Sequence, residues 1–109
     1  AIELAHCLMT DASAGPQNTG YLLNGNFFHP GDGIALEGLS VANMALPITG
    51  PDVSPKDAFS LTKQLSAKNA VAIHFDYIGA NPDVAASFAL SNGMPFKIHS
   101  LKQGESVEL

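Results

Sequence analysis

The chain has 109 residues, 46% of them apolar and 14% charged, with a net charge of −5. That describes one domain with enough apolar side chains for a core, and it excludes a disordered polypeptide. No cluster of Lys or Arg is present, which argues against nucleic acid or an anionic membrane as partner, and no apolar run approaches the ~20 residues of a membrane helix. Ile2 to His6 alternates as a strand. It follows no initiator Met and no basic region or cleavage site, so the expectation is a piece of something longer, without a signal peptide. Cys7 is the single cysteine; it excludes an internal disulfide and points to a reducing cytoplasm.

Thr10 to Asn18 reads as a loop, rich in Ala, Ser, Gly and Pro. Gly20-Tyr21-Leu22-Leu23 and Asn26-Phe27-Phe28-His29 read as two strands joined by Asn24-Gly25, because both turn residues tolerate positive φ. Pro30-Gly31 ends the second strand and delivers Asp32 in a tight turn. Val41 to Leu46 reads as a strand buried on both faces. Ser54-Pro55-Lys56-Asp57 opens a helix, with Ser54 as N-cap and Ala58, Leu61 and Leu65 on one face.

Ala70 to His74 is a further strand. Asn81-Pro82-Asp83 opens a second helix, which Gly93 closes. Pro95 to Leu101 and Val107 to Leu109 read as the last two strands. Strands alternating with helices predict an α/β layered fold over residues 1–109, a single unit.

Three ionisable residues stand at the ends of apolar runs: His6, Asp32 and His74. In open α/β sheets ligands gather beyond the carboxyl ends of strands. Each residue also has a plain structural reading: Asp32 as a turn-former, His74 as a partly buried ring bonded to backbone, His6 as a strand terminus. His29 is read as supporting the site or as structural, and His99 as structural or exposed. Thr49 and Asp76 fall in loops after strands, where they can line a pocket. No phosphate-binding glycine loop, no G-x-S-x-G elbow and no paired-cysteine zinc pattern occurs.

Five segments in order resemble the C-terminal half of the metallo-β-lactamase superfamily. Asn18-Thr19-Gly20-Tyr21-Leu22-Leu23 is similar to its N-x-G-Y/F-apolar strand, and Phe28-His29-Pro30-Gly31-Asp32 to its Y/F-H-P/A-G-D-T motif. Ala45 to Pro51 resembles L-L-P-I-x-G-P, Val71 to Asp76 resembles V-x-P-x-H-x, and Leu101 to Leu109 resembles the closing L-x-P-G-E-x-x-x-L. The resemblance implies one sheet-plus-helices half of an αββα sandwich. It implies a two-metal site, usually zinc with manganese or iron as alternatives, in which His6 and His74 are ligands and Asp32 bridges the ions.

The family's H-x-H-x-D-H cluster is absent from this chain, and Gly33 stands where a Thr commonly follows the bridging Asp. The implied function is therefore metal-dependent hydrolysis of a small-molecule substrate by a complete protein, with this chain inactive alone. Its implied partner is the missing N-terminal half or a second copy of the chain. The competing expectation is a non-catalytic α/β interaction domain that dimerises through an apolar sheet face.

Overall fold

A computed structural model describes residues 2–3, 13, 15, 17–33, 36, 38–48, 55–73 and 81–109. Six strands form one sheet in the order β1 (Ile2–Glu3), β2 (Thr19–Leu23), β3 (Phe27–His29), β4 (Asn43–Pro47), β5 (Asn69–Ile73) and β6 (Lys97–His99). β1, β2 and β3 are antiparallel neighbours; β3, β4, β5 and β6 run parallel. Helix α1 (Pro55–Gln64) connects β4 to β5, and α2 (Pro82–Ser91) connects β5 to β6. The α/β class expected from the sequence is the class observed.

The hairpin follows from its turn residues. Asn24 has φ 51° and Gly25 φ 72°, and the Asn26 N–H donates to the Leu23 carbonyl at 3.2 Å. Positive φ at both central positions matches the right-handed twist of the flanking strands. Leu23 pairs with Phe27, so Asn26 is an extra residue in the connection and β3 starts one residue later than its apolar pattern suggests.

The crossovers from β4 to β5 and from β5 to β6 run in the same direction, and with the usual right hand they put both helices on one face of the sheet. Phe28, Met44, Leu46, Ala70, Ala72 and Ile98 point to that face and are buried against Ala58, Phe59, Leu61, Leu65, Ala85 and Ala89 of the helical layer. Each large side chain buried there contributes about 1.5–3 kcal/mol. The Leu61 and Leu65 stripe is the one the spacing predicts. At α2, the Asn81 Oδ1 accepts from the Asp83 N–H at 2.9 Å, Pro82 occupies the first helical position and Gly93 has φ 61° after the helix end. Ser54, the expected cap of α1, lies outside the described residues.

The opposite face carries no helix among the described residues. Tyr21, Leu23, Phe27, Ala45, Val71 and Ile73 alternate onto it with His29 and His99. Tyr21 and Leu23 are 54% and 53% exposed, so this face presents apolar surface to solvent. A short polar ladder crosses it: Asn69 Nδ2 donates to Asn43 Oδ1 at 3.2 Å, and His99 Nε2 donates to Asn69 Oδ1 at 3.1 Å. The ladder satisfies Asn43, which is buried.

Two expected strands differ. Pro95 to Leu101 is strand only over Lys97–His99. Val107 to Leu109 is not a strand; all three residues are exposed and the segment pairs with nothing in the sheet. Alternation over three residues does not supply the partner edge that a strand needs. No helix among the described residues is long and apolar enough to cross a membrane.

Candidate metal centre at the carboxyl edge of the sheet

Asp32 comes three residues after β3, at the edge where β3, β4 and β5 all end. The Ile48 N–H donates to the Ile73 carbonyl at 3.2 Å, so β4 and β5 stay paired to their last residues at this edge. Thr49 follows Ile48 in the chain and His74 follows Ile73; both lie outside the described residues, as do His6 and Asp76. Of the six residues singled out from the sequence, the structure therefore places Asp32 and His29.

Residues 30–33 form a tight turn in which the Gly33 N–H donates to the Pro30 carbonyl at 3.0 Å. Gly31, the first central residue, has φ 63°, and Asp32 does not have positive φ. That is the pattern of a type II′ turn, which takes glycine first. Pro30 is fully buried, and Asp32 is half-buried with further contacts of its own. Gly33 lacks a hydroxyl but closes the turn through its backbone.

His29 is a turn residue here. Its Nδ1 accepts from the Gly31 N–H at 3.1 Å. A ring nitrogen that accepts carries no proton, so the neutral ring carries its proton on Nε2. The ring thus bonds the turn's backbone.

Asn18 was part of a recognisable motif, yet its role was not legible. Its side chain is buried and spans the turn from the start of β2: Nδ2 donates to the Pro30 carbonyl at 2.9 Å, and Oδ1 accepts from the Asp32 N–H at 3.0 Å. Two antiparallel neighbours bring it there, because Tyr21 pairs with His29 and the residues before β2 face those after β3. A Cβ built at Gly31 would meet Asn18 Oδ1 at 2.5 Å and the Thr19 carbonyl at 3.2 Å. Glycine is required at position 31 by both conformation and space.

His99 is distant in role from this edge. It is half-buried in the polar ladder, and burial, reinforced by the nearby Lys97 ammonium, lowers its pKa below the usual value. Of the two sequence readings, structural or exposed, this half-buried place in the ladder fits the first.

Two grooves of about 740 and 760 Å³ adjoin α2. The first is lined by Ile48, Phe59, Val84 and Phe88, with Phe59 and Phe88 stacked at 5.5 Å. Neither includes a carboxylate, imidazole or thiol among its described lining residues, and neither touches the Asp32 turn. Asp32 offers a hard carboxylate oxygen, which suits a divalent cation. Among the described residues, however, no three His, Cys, Asp or Glu gather into a metal-holding group.

No family model matches the chain, and no curated protein matches it. Among solved structures, it is similar to Igni18, described as a novel metallo hydrolase from the hyperthermophilic archaeon Ignicoccus hospitalis. The TM-score is 0.67 at 22% identity, over 93% of this chain and 49% of that one. The two share a fold. This chain spans about half the length of that neighbour.

Proposed function

We propose that the chain is the C-terminal half of a metal-dependent hydrolase of the metallo-β-lactamase superfamily. The observation that carries this reading is the turn of residues 30–33, which anchors Asp32 by its backbone at the carboxyl edge of parallel strands. The fold likeness to a metallo hydrolase of about twice this length supports it.

His6, Asp32 and His74 would hold the metal, with Asp32 as the bridging carboxylate and the imidazoles suited to zinc. Bound zinc would supply an acidified water and polarise the scissile bond. The chain's own contribution is to present a carboxylate from a fixed backbone; Thr49 and Asp76 are the further pocket residues. The complete two-metal site needs ligands from another stretch of protein, so the isolated chain is inactive. The sheet face bearing Tyr21 and Leu23 is the surface that the N-terminal half, or a second copy, would cover. The single cysteine suits a cytoplasmic setting.

The test is zinc titration by calorimetry of the wild type and of His6→Ala, Asp32→Ala and His74→Ala. Each substitution should weaken binding at least tenfold. Unchanged affinity in all three would remove the ligand set. The same exposed face favours a second reading, a non-catalytic interaction domain. Under that reading the wild type binds no zinc and dimerises whether or not His6, Asp32 and His74 are intact.

A further inference from the structure

We propose that Asn18 is a positioning residue for Asp32: its buried side-chain amide locks the turn of residues 30–33 from inside and so fixes where the Asp32 carboxylate is presented. The proposal rests on the reading of Asp32 as a ligand only for its consequence toward metal; its conformational part stands by itself.

Both ends of the Asn18 amide are used, and on two different residues of the turn. Nδ2 holds the Pro30 carbonyl at 2.9 Å and Oδ1 holds the Asp32 N–H at 3.0 Å. These two groups bracket Gly31, whose φ of 63° reverses the chain. The clamp is therefore a side chain doing what a strand ladder would do one residue earlier, at the point where β3 has ended. Only an amide of this length supplies a donor and an acceptor side by side from one planar group. Serine or threonine at position 18 has both roles on a single, shorter-reaching oxygen, and alanine has neither.

The close fit supports the same conclusion. Asn18 Oδ1 lies 2.5 Å from where a Cβ of residue 31 would be, so the amide and the bare Gly31 backbone are packed against each other. The Pro30 carbonyl also accepts from the Gly33 N–H at 3.0 Å, which joins the clamp to the turn's own closing bond. On the far side, His29 Nδ1 takes the Gly31 N–H at 3.1 Å. The backbone N–H groups of Gly31, Asp32 and Gly33 are thus all engaged, and the Asp32 N–H is held by Asn18 from the other arm of the hairpin. A residue that merely sealed the sheet edge would need one of these bonds; the pair pins the orientation of the peptide that carries Asp32.

Amide hydrogen exchange by NMR tests the clamp without metal. In Asn18→Ala the Asp32 amide should lose at least tenfold more protection than those of Ala45 and Val71 in the central strands, which fall only with global stability. Gly31→Ala reaches the same clamp from the other side and should give the same local loss. Unchanged protection at Asp32 in both variants overturns the proposal. An equal loss at Asp32, Ala45 and Val71 in both also overturns it, because the amide then holds the fold rather than the turn. Zinc calorimetry reads the consequence: folded Asn18→Ala should bind about 10–100-fold more weakly than wild type. If wild type binds zinc, Asp32→Ala does not and Asn18→Ala binds like wild type, the positioning role is overturned. If wild type binds no zinc, the metal reading fails and the exchange data alone judge the clamp.

Discussion

Gly31→Ala is the sharpest structural perturbation available. Two costs add. A Cβ at φ 63° is worth about 1–2 kcal/mol of backbone strain. The Cβ would also meet Asn18 Oδ1 at 2.5 Å, so the amide must move and release the Pro30 carbonyl and the Asp32 N–H. Losing these two bonds costs about 2 kcal/mol in this partly buried setting. The sum is about 3–4 kcal/mol, a large share of a typical domain stability of about 5–15 kcal/mol.

A double-mutant cycle with Asn18→Ala separates the two terms. Asn18→Ala alone should cost about 2 kcal/mol, the loss of the clamp. In the double variant the clamp is already gone, so only the strain of the alanine is new. The double variant should then be about as stable as Gly31→Ala, with a coupling of about 2 kcal/mol. Urea unfolding followed by circular dichroism measures all four corners of the cycle. A Gly31→Ala protein within about 0.5 kcal/mol of wild type, or strictly additive costs, would refute the reasoning; surface substitutions without special features fall in that range.

Two further outcomes follow from the core and the polar ladder. Leu61→Ala, at a side chain 1% exposed between α1 and the sheet, should lower stability by about 2–5 kcal/mol in the same urea assay. His99 has a lowered pKa, so just below pH ~6.5 the unfolded chain binds more protons than the folded one. Stability is therefore full above that pH and falls as acid takes the solution down through the folded pKa of His99. NMR titration of the His99 ring should show a midpoint below that of a free histidine, and His99→Asn should remove this part of the pH dependence.

What was legible in the sequence was what short-range chemistry decides. Asn24-Gly25 specifies a turn because two neighbouring residues must take positive φ. Asn81-Pro82-Asp83 starts α2 because cap, ring and acid act within one turn of helix. Leu61 and Leu65 identify the buried stripe because helical spacing alone puts them there. The turn at Asp32 was legible for the same reason, since Pro30-Gly31 stops a strand locally.

Pairing across the chain was not legible. Val107-Glu108-Leu109 has the alternation of a strand, but a strand is made by a neighbour and no described residue pairs with it. Asn18 lies fourteen positions before Asp32, and its side chain meets the turn only because β2 and β3 fold back on each other. Its motif marked it as notable, whereas its two hydrogen bonds could be found only in three dimensions. His29 is the intermediate case: its ring reaches a backbone N–H two residues away, a contact the sequence permits without requiring.

The central claim is that Asp32 is a metal ligand together with His6 and His74. Crystals of the chain grown with zinc and measured at the zinc absorption edge test it most directly. The account predicts an anomalous peak about 2 Å from an Asp32 carboxylate oxygen and from one imidazole nitrogen each of His6 and His74. A zinc-saturated crystal with no peak at Asp32, or with the two imidazoles pointing to separate places, would contradict it.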